Sequence, residues 1–173
     1  MNTIETGSLT LEPVVAAHAA QMFVVLSDPA IYEYENEPPQ SLEGLRETYA
    51  EREARWSPNR QEQWLNWVIR LPTSQLIGYV QATIYPSGRA AIAYELSSAY
   101  WGRGLARQAV QAMISELVEN YQVRALSAVL KRANLRSLRL LQRLGFTLAS
   151  GEEHAAAQVE RDEFLMRRKI QRI

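Results

Sequence analysis

The chain has 173 residues, 47% of them hydrophobic and 22% charged, which is the size and composition of one globular domain. Nineteen basic residues balance nineteen acidic ones, so the sequence argues against broad binding to nucleic acid or to an anionic membrane. It has no cysteine and only two histidines, which excludes disulfides, thiolate catalysis and metal centres built from several cysteines or histidines.

The first residues contain no charged leader followed by an apolar core, and no apolar run approaches the roughly 20 residues that span a bilayer. We therefore expect a soluble cytoplasmic protein with one domain over residues 1–173.

The first third of the chain predicts one strand and two helices. Residues 8–11 alternate in polarity, as a short strand does. Residues 13–26 begin with proline and are rich in alanine and other apolar residues, which predicts a helix that Ser27-Asp28-Pro29 ends. Residues 41–56 begin with serine and predict a second, heavily charged helix.

Strands dominate the middle of the chain. Residues 64–70, 76–85 and 90–96 are separated by short turns that contain proline, serine, threonine or glycine. These runs predict a three-stranded antiparallel meander.

Helices and strands alternate after the meander. Apolar residues at helical spacing predict helices over residues 105–118 and 134–144. Strands are predicted over residues 123–130, 146–149 and 164–168. This order predicts an α+β fold, with a mixed, mostly antiparallel curved sheet of about seven strands flanked by about four helices.

Gly102 and Gly104 lie between a predicted strand and a predicted helix. Glycine allows positive φ and close approach of a ligand, and the first N–H groups of a helix lack partners and attract anions. The loop therefore predicts a phosphate or pyrophosphate site, with countercharge from Arg103 and Arg107. A tight turn before a helix is the alternative interpretation.

Two common phosphate motifs do not fit this loop. A P-loop needs Gly-Lys-Ser/Thr, and no lysine follows a glycine here. A dinucleotide-binding fingerprint needs Gly or Ala in place of Arg107 and an acid about 20 residues later, where residues 121–124 offer none.

Trp101-Gly102-Arg103-Gly104-Leu105-Ala106 resembles the acetyl-CoA loop of the GCN5-related N-acetyltransferase (GNAT) family, Gln/Arg-x-x-Gly-x-Gly/Ala, with tryptophan in its first position. Asn134-x-x-Ser137 followed by Leu144-Gly145-Phe146 is similar to a second hallmark of the family. Residues 9–13 and 26–29 also resemble the RimJ/RimL subgroup, which acts on the N-termini of ribosomal proteins.

The resemblance covers most of the chain, is strongest over residues 90–148, and implies acetyl-CoA as cofactor and no metal. In the family, pantetheine adds to the edge of the strand that corresponds to residues 90–96, which splays from its neighbour. The implied cofactor contacts are Leu96, Ser97, Trp101, Gly102, Arg103, Gly104, Leu105, Ala106, Arg107, Asn134 and Ser137.

Acetyl transfer to an amine requires a neutral amine, a stabilised oxyanion and a proton for the departing thiolate. The resemblance implies direct attack in a ternary complex without an acyl-enzyme, which agrees with the absence of cysteine. Ser137 is implied either as the acid that protonates the thiolate or as a cofactor contact only. Asn134 either caps its helix or also contacts the cofactor. A backbone N–H near Glu95 or Leu96 is implied as the oxyanion donor.

The general base is the most open assignment. Glu95, on the central strand beside the splay, is our first choice, and Glu160 and Asp162 are alternatives. His18 is expected to be structural, and His154 has no evident partner in the sequence.

The acidic loop over residues 31–40 contains Glu33, Glu35 and Glu37 and lies where this fold receives the acceptor. It either attracts a cationic amine or is simply a solvated loop.

A stripe of arginines follows one face of the second predicted C-terminal helix. The stripe consists of Arg132, Arg136, Arg139 and Arg143. It is a solvated face paired with glutamates, or else Lys131, Arg132 or Arg136 contacts the 3′-phosphate of coenzyme A. Nucleic-acid binding is a third interpretation, which the neutral net charge disfavours.

The hypothesis is an acetyl-CoA-dependent N-acetyltransferase that acts on a primary amine, either a protein N-terminal α-amine or a small amine. The competing hypothesis is a non-catalytic acyl-CoA-binding or regulatory domain. We expect no nucleic-acid or membrane partner, and either a monomer or a homodimer formed through residues 163–170.

Overall fold

The computed structural model describes residues 1–34 and 36–170 and contains one mixed sheet with helices packed on both faces. The strands are β1 (Ile4–Glu5), β2 (Thr10–Pro13), β3 (Gln63–Arg70), β4 (Leu76–Ile84), β5 (Arg89–Leu96), β6 (Ala125–Lys131), β7 (Thr147–Leu148) and β8 (Glu163–Lys169). The α-helices are α1 (Ala19–Val25), α2 (Leu42–Arg52), α3 (Leu105–Tyr121), α4 (Leu135–Arg143) and α5 (Gly151–Ala156). Short 3₁₀ turns cover Ala16–His18, Pro29–Tyr32 and Ser98–Tyr100.

The predicted α+β fold is confirmed, with eight strands and five α-helices in the described residues rather than about seven and four. The sheet order is β1-β2-β3-β4-β5-β6-β8-β7, and only β5 and β6 run parallel.

The sheet divides the hydrophobic core into two layers. Side chains alternate along β3, so Trp67 and Ile69 pack on one face and Val68 on the other. The first face carries α3 and α4, and the second carries α1 and α2. Most of β3 and the start of β4 are therefore buried on both sides, which holds β4 in position beneath the site.

The strands β5 and β6 diverge. They pair only from Arg89 to Ala91, opposite Ala125 to Ser127, and the rest of β5 has no partner on that side in the described residues. The splay expected from the family resemblance is therefore present, and it opens a gap beside residues 92–96.

The N-terminal helix was predicted to begin at Pro13, and this is wrong. Pro13 is the last residue of β2, opposite Trp67 and beyond Leu11, where pairing with β1 ends. Proline lacks an N–H donor, so it is tolerated at a strand end where no ladder bond is needed. The predicted helix 41–56 is also shorter, because it ends at Arg52 and Trp56 forms a β-bridge with Gln63.

The last strand is not an edge strand of the described sheet, although β7 covers its outer side only at Met166 and Arg167. β8 lies between β6 and β7, and it pairs with β6 over its whole length. The outer strands β1 and β7 have two residues each, and such short edges disfavour pairing between molecules. Within residues 1–34 and 36–170, no helix combines the length and the apolar character that membrane crossing requires.

Candidate active site

The glycine loop has the geometry of an anion site. Gly102 and Gly104 have φ of +74° and +76°, and Gly104 is the N-cap residue of α3. No described side chain caps α3, so the amides of its first turn remain available to a ligand. A Cβ at either glycine would meet no protein atom within 4 Å, so the space above the loop is open. The loop therefore fits a pyrophosphate group.

A cleft of about 470 Å³ extends from this loop along the gap beside β5. Every predicted site residue except Ser97 and Arg103 lines it. Ser97 Oγ instead lies 3.4 Å from Asp28 Oδ2, and the Arg103 guanidinium stacks on Tyr100 at 5.4 Å from the ring centroid.

The backbone of β5 presents polar groups to this cleft. Ser97 N–H donates to Ile77 O on the β4 side at 2.9 Å. Because backbone groups of successive residues point to opposite sides of a strand, the N–H and C=O of Leu96 point away from β4 and into the gap. Trp101 Nε1 donates to Leu96 O at 2.9 Å and thereby joins the glycine loop to the end of β5. The Leu96 N–H thus points toward the gap, whereas the backbone groups of Glu95 face Tyr79 on β4.

Ser137 and Asn134 meet where α4 begins. Asn134 Oδ1 accepts a hydrogen bond from Ser137 N–H at 3.0 Å, so its predicted N-cap role is confirmed. Ser137 Oγ lies 2.7 Å from the hydroxyl of Tyr94 on β5. Burial raises the pKa of Tyr94 to about 12, although the hydrogen bond with Ser137 acts in the opposite direction. Tyr94 therefore keeps its proton at neutral pH.

Glu95 faces the opposite side of β5 from Tyr94 because side chains alternate along a strand. It lines the cleft beside β5 and also a second cavity of about 460 Å³ between α2 and β4. Asn36 Nδ2 donates to Glu95 Oε1 at 3.1 Å. The nearby charge of Glu95 also adds to the effect of burial in raising the pKa of Tyr32 to about 12.

Arg136 bridges the two sides of the cleft mouth. Its guanidinium stacks on Trp101, 3.7 Å from the ring centroid, and it also forms an ion pair with Glu33 at 3.2 Å. One member of the acidic loop is thus paired with the arginine stripe. Glu37 lines the second cavity, and Glu35 lies outside the described residues.

Glu160 and Asp162 do not line the cleft. Both pair with Lys131, at 2.8 and 3.3 Å, and Glu163 pairs with it at 3.0 Å. Hydrogen bonds with Glu160 and Glu163 raise the pKa of Lys131 above its ordinary value. These contacts occupy the Lys131 ammonium and leave Glu95 as the one candidate base that reaches the cleft.

The two histidines have structural partners. His18 Nε2 lies 3.2 Å from Glu12 Oε2, as a structural role predicts. His154, which has no evident partner in the sequence, accepts a hydrogen bond from Leu165 N–H at 2.9 Å. The described residues contain no cluster of three or more metal-ligating side chains.

Two residues of the site were missed in the sequence. Tyr94 has no motif of its own, and only the alternation along β5 indicates which side it faces. Asp28 accepts hydrogen bonds from Ser98 N–H at 2.7 Å and from Ala30 N–H at 3.0 Å. It thereby ties the turn after α1 to the turn after β5.

Comparison with known proteins gives a consistent result. The family model "Acetyltransferase (GNAT) domain" matches residues 8–147. The chain is 26% identical over 148 residues to the "Uncharacterized N-acetyltransferase p20" of Bacillus licheniformis, covering 84% of this chain and 83% of that protein.

Solved structures show the same fold. The RimL ribosomal L7/L12 α-N-protein acetyltransferase in complex with coenzyme A superimposes with a TM-score of 0.83 at 18% identity, over 98% of each chain. The ribosomal-protein-S5-alanine acetyltransferase of Vibrio fischeri gives 0.80 at 16% identity, over 98% of this chain and 97% of the other. With the family match and the glycine loop, these findings show that the chain belongs to the GNAT family and is an acetyl-CoA-dependent N-acetyltransferase.

Proposed function

We propose that the protein transfers the acetyl group of acetyl-CoA directly to a primary amine in a ternary complex, and that the amine is a protein N-terminal α-amine or a small amine. The observation that carries this proposal is the position of Glu95 between the cleft of the glycine loop and the second cavity. A cofactor in the first space and an acceptor in the second would meet beside β5. The similarity in fold to enzymes named for ribosomal-protein N-termini supports the α-amine.

Bound acetyl-CoA supplies an acetyl thioester, and we assign the residues that would hold it from the lining of the cleft. The first amides of α3, from Leu105 to Arg107, bind the pyrophosphate. The edge of β5 at Leu96 binds the pantetheine arm. The N–H of Leu96 is aligned to stabilise the negative charge that develops on the thioester oxygen.

Proton transfer involves both faces of β5. Glu95 takes a proton from the amine, directly or through water, as the new N–C bond forms. Ser137 would donate its hydroxyl proton to the sulfur as the C–S bond breaks, and Tyr94, 2.7 Å away, would restore that proton. Glu95 then releases the proton of the amine to solvent, and solvent returns one to Tyr94, so that the protons balance. Because the protein forms no covalent bond in this scheme, most of its rate enhancement comes from positioning the two reactants.

The first test combines binding with turnover. Acetyl-CoA is titrated by calorimetry, and peptides with different N-terminal residues and small amines are then screened for thiol release. We expect binding and turnover of a subset of the amines. Binding without turnover across a broad panel would favour the non-catalytic domain, and lack of binding would overturn the assignment of the cleft.

A second test addresses the glycine loop. Gly104→Asp places a carboxylate at the proposed pyrophosphate amides and should weaken acetyl-CoA binding at least about 100-fold through charge repulsion. Gly104→Asn is the matched control, because asparagine has a similar shape, tolerates positive φ and carries no charge. Equal affinity of the folded Asp and Asn variants would contradict the assignment.

A further inference from the structure

The second cavity contains an arginine that forms no direct ion pair with any described residue. Arg52 lines this cavity and is half-buried on α2. Among residues 1–34 and 36–170, its guanidinium forms no ion pair and no hydrogen bond. Arg46 on the same helix contrasts with it, because Arg46 is exposed and pairs with Glu43 at 2.9 Å.

The helix itself cannot neutralise Arg52. Because α2 ends at Arg52, the neighbours of Arg52 on the helix surface are the side chains three and four positions before it, Tyr49 and Thr48. Neither is acidic. Arg52 also follows Leu45 and Tyr49 at helical spacing, so it lies on the face of α2 that is buried against the sheet.

A simpler explanation is that a basic residue in the last turn stabilises the helix dipole. An exposed arginine would do this equally well. It does not account for a guanidinium that is half-buried toward a cavity and forms no direct ion pair among the described residues, an arrangement that a bound anion would improve.

Arg52 and Glu95 both line this cavity, and both affect the pKa of Tyr79. Tyr79 lies opposite Glu95 on β4, and burial raises its pKa, with a further rise from Glu95 and an opposing effect of Arg52. Burial also raises the pKa of Tyr49 to about 12, so these tyrosines are neutral at physiological pH. Among the described residues that line the second cavity, the charged groups are the guanidinium of Arg52 and the carboxylates of Glu95 and exposed Glu37.

We infer that Arg52 is a specificity-determining residue that binds a carboxylate on the acceptor, so that the acceptor is an amino-carboxylate whose amine reaches Glu95. This inference rests on the proposed function, because it assumes that the second cavity receives the acceptor. The planar guanidinium offers a fork of donors that matches a carboxylate. The carboxylate belongs either to a small amino acid or to an acidic residue near the N-terminus of a peptide.

The test uses pairs of acceptors that differ in one negative charge. One pair consists of tripeptide amides that begin with aspartate or asparagine, and the other of β-alanine and its amide. Thiol release gives kcat/KM for each acceptor. For each pair, the ratio of kcat/KM for the charged member to that for the neutral member is then compared between wild type and variants. This comparison cancels the difference in intrinsic reactivity of the two amines.

For the pair that matches the natural acceptor, we expect wild type to favour the charged member about 10- to 100-fold, as a charged hydrogen bond predicts. Arg52→Gln should remove this preference by raising KM for the charged member, with kcat nearly unchanged. Arg52→Lys should restore part of it, and Arg46→Gln, the control on the exposed face, should leave it intact. A ratio that Arg52→Gln does not change overturns the inference.

Calorimetry with both pairs in the presence of coenzyme A separates this inference from the proposed function. Preferential binding of the charged member that depends on Arg52, without thiol release, would reject acetyl transfer and support the carboxylate site. Turnover of amines without such a preference would support acetyl transfer and reject the site. If neither pair binds preferentially to wild type, the site is also rejected.

Discussion

At the scale of single residues, our proposal assigns the protonation of the departing sulfur to the contact between Tyr94 and Ser137. A serine hydroxyl is a weak acid, but a second hydroxyl at 2.7 Å can replace its proton as it leaves. Tyr94 is suited to this role because burial raises its pKa to about 12, and it therefore holds its proton throughout the usual assay range.

We predict that Ser137→Ala lowers kcat about 100-fold if protonation limits the rate, since general acids contribute about this much. Tyr94→Phe should lower kcat less, by about tenfold, because water can replace the second donor. Stopped-flow thiol release under single-turnover conditions measures both. Acetyl-CoA affinity serves as the control, because a mere contact role would weaken binding and leave the chemical step unchanged.

A second residue-scale prediction concerns Glu12, which accepts two hydrogen bonds from Arg70, at 2.6 and 2.8 Å, and contacts His18. The hydrogen bond from Arg70 is the main reason that the pKa of Glu12 lies below its ordinary 4.5. Its stabilising contribution is therefore complete above pH 4.5 and is lost as the pH falls through the lowered value.

Glu12→Gln should lower the free energy of unfolding by about 1–2 kcal/mol at pH 7, and the difference from wild type should shrink below about pH 4.5. Urea denaturation at several pH values measures this difference, with the exposed Glu119→Gln on α3 as control. His18 adds to the acid sensitivity of wild type, since burial is the main reason that its pKa lies below 6.5. A difference that does not vary with pH would contradict this account.

At the scale of elements, the close approach of β4 to β5 positions the reactive edge. Gly78 lies opposite Leu96, and a Cβ at Gly78 would stand 2.1 Å from Glu95 O and 2.8 Å from Leu96 Cα. Both atoms belong to the backbone, so no side-chain rotation can relieve the clash.

We predict that Gly78→Ala moves β5, lowers the free energy of unfolding by about 1–3 kcal/mol and reduces kcat/KM more than tenfold. Denaturation and thiol-release assays measure the two effects. Gly7→Ala is the control, because a Cβ there meets no atom within 4 Å. Full activity of Gly78→Ala would show that the spacing of β4 and β5 is not critical.

The elements also show what sequence can predict. The meander was predicted to within one residue, because alternation and turn residues are local signals. The prediction that the first helix begins at Pro13 was wrong, because the position of Pro13 in β2 depends on pairing with β3, which is distant in the sequence. Helix α5 was overlooked although Ser150 and Glu153 form a capping box, which is a local signal. The contact of Tyr94 with Ser137 joins residues 43 positions apart, and no spacing rule predicts it.

At the scale of the whole molecule, the formal net charge is zero, but the charged side chains are distributed unevenly between the two cavities. Arg107, Arg136, Arg139 and Arg143 line the cofactor cleft. On the other side of Glu95, the second cavity contains Glu37 and a single cation, Arg52, among its described lining. In our proposal, these charges attract a polyphosphate to one side of the sheet edge and an amine to the other.

The concentration of arginines at the cofactor cleft predicts that coenzyme A binding weakens with salt although the net charge is zero. Between about 0.05 and 0.5 M salt the screening length falls from roughly 14 to 4 Å, so attraction from arginines at the cleft rim is largely lost. We expect Kd to rise about tenfold over this range in calorimetric titrations. The double variant Arg139→Gln, Arg143→Gln should bind more weakly at low salt and show a smaller salt dependence, whereas Arg46→Gln, on the exposed face of α2, should match wild type. Equal salt dependence of the double variant and wild type would place the attraction in the α3 amides instead of the arginines.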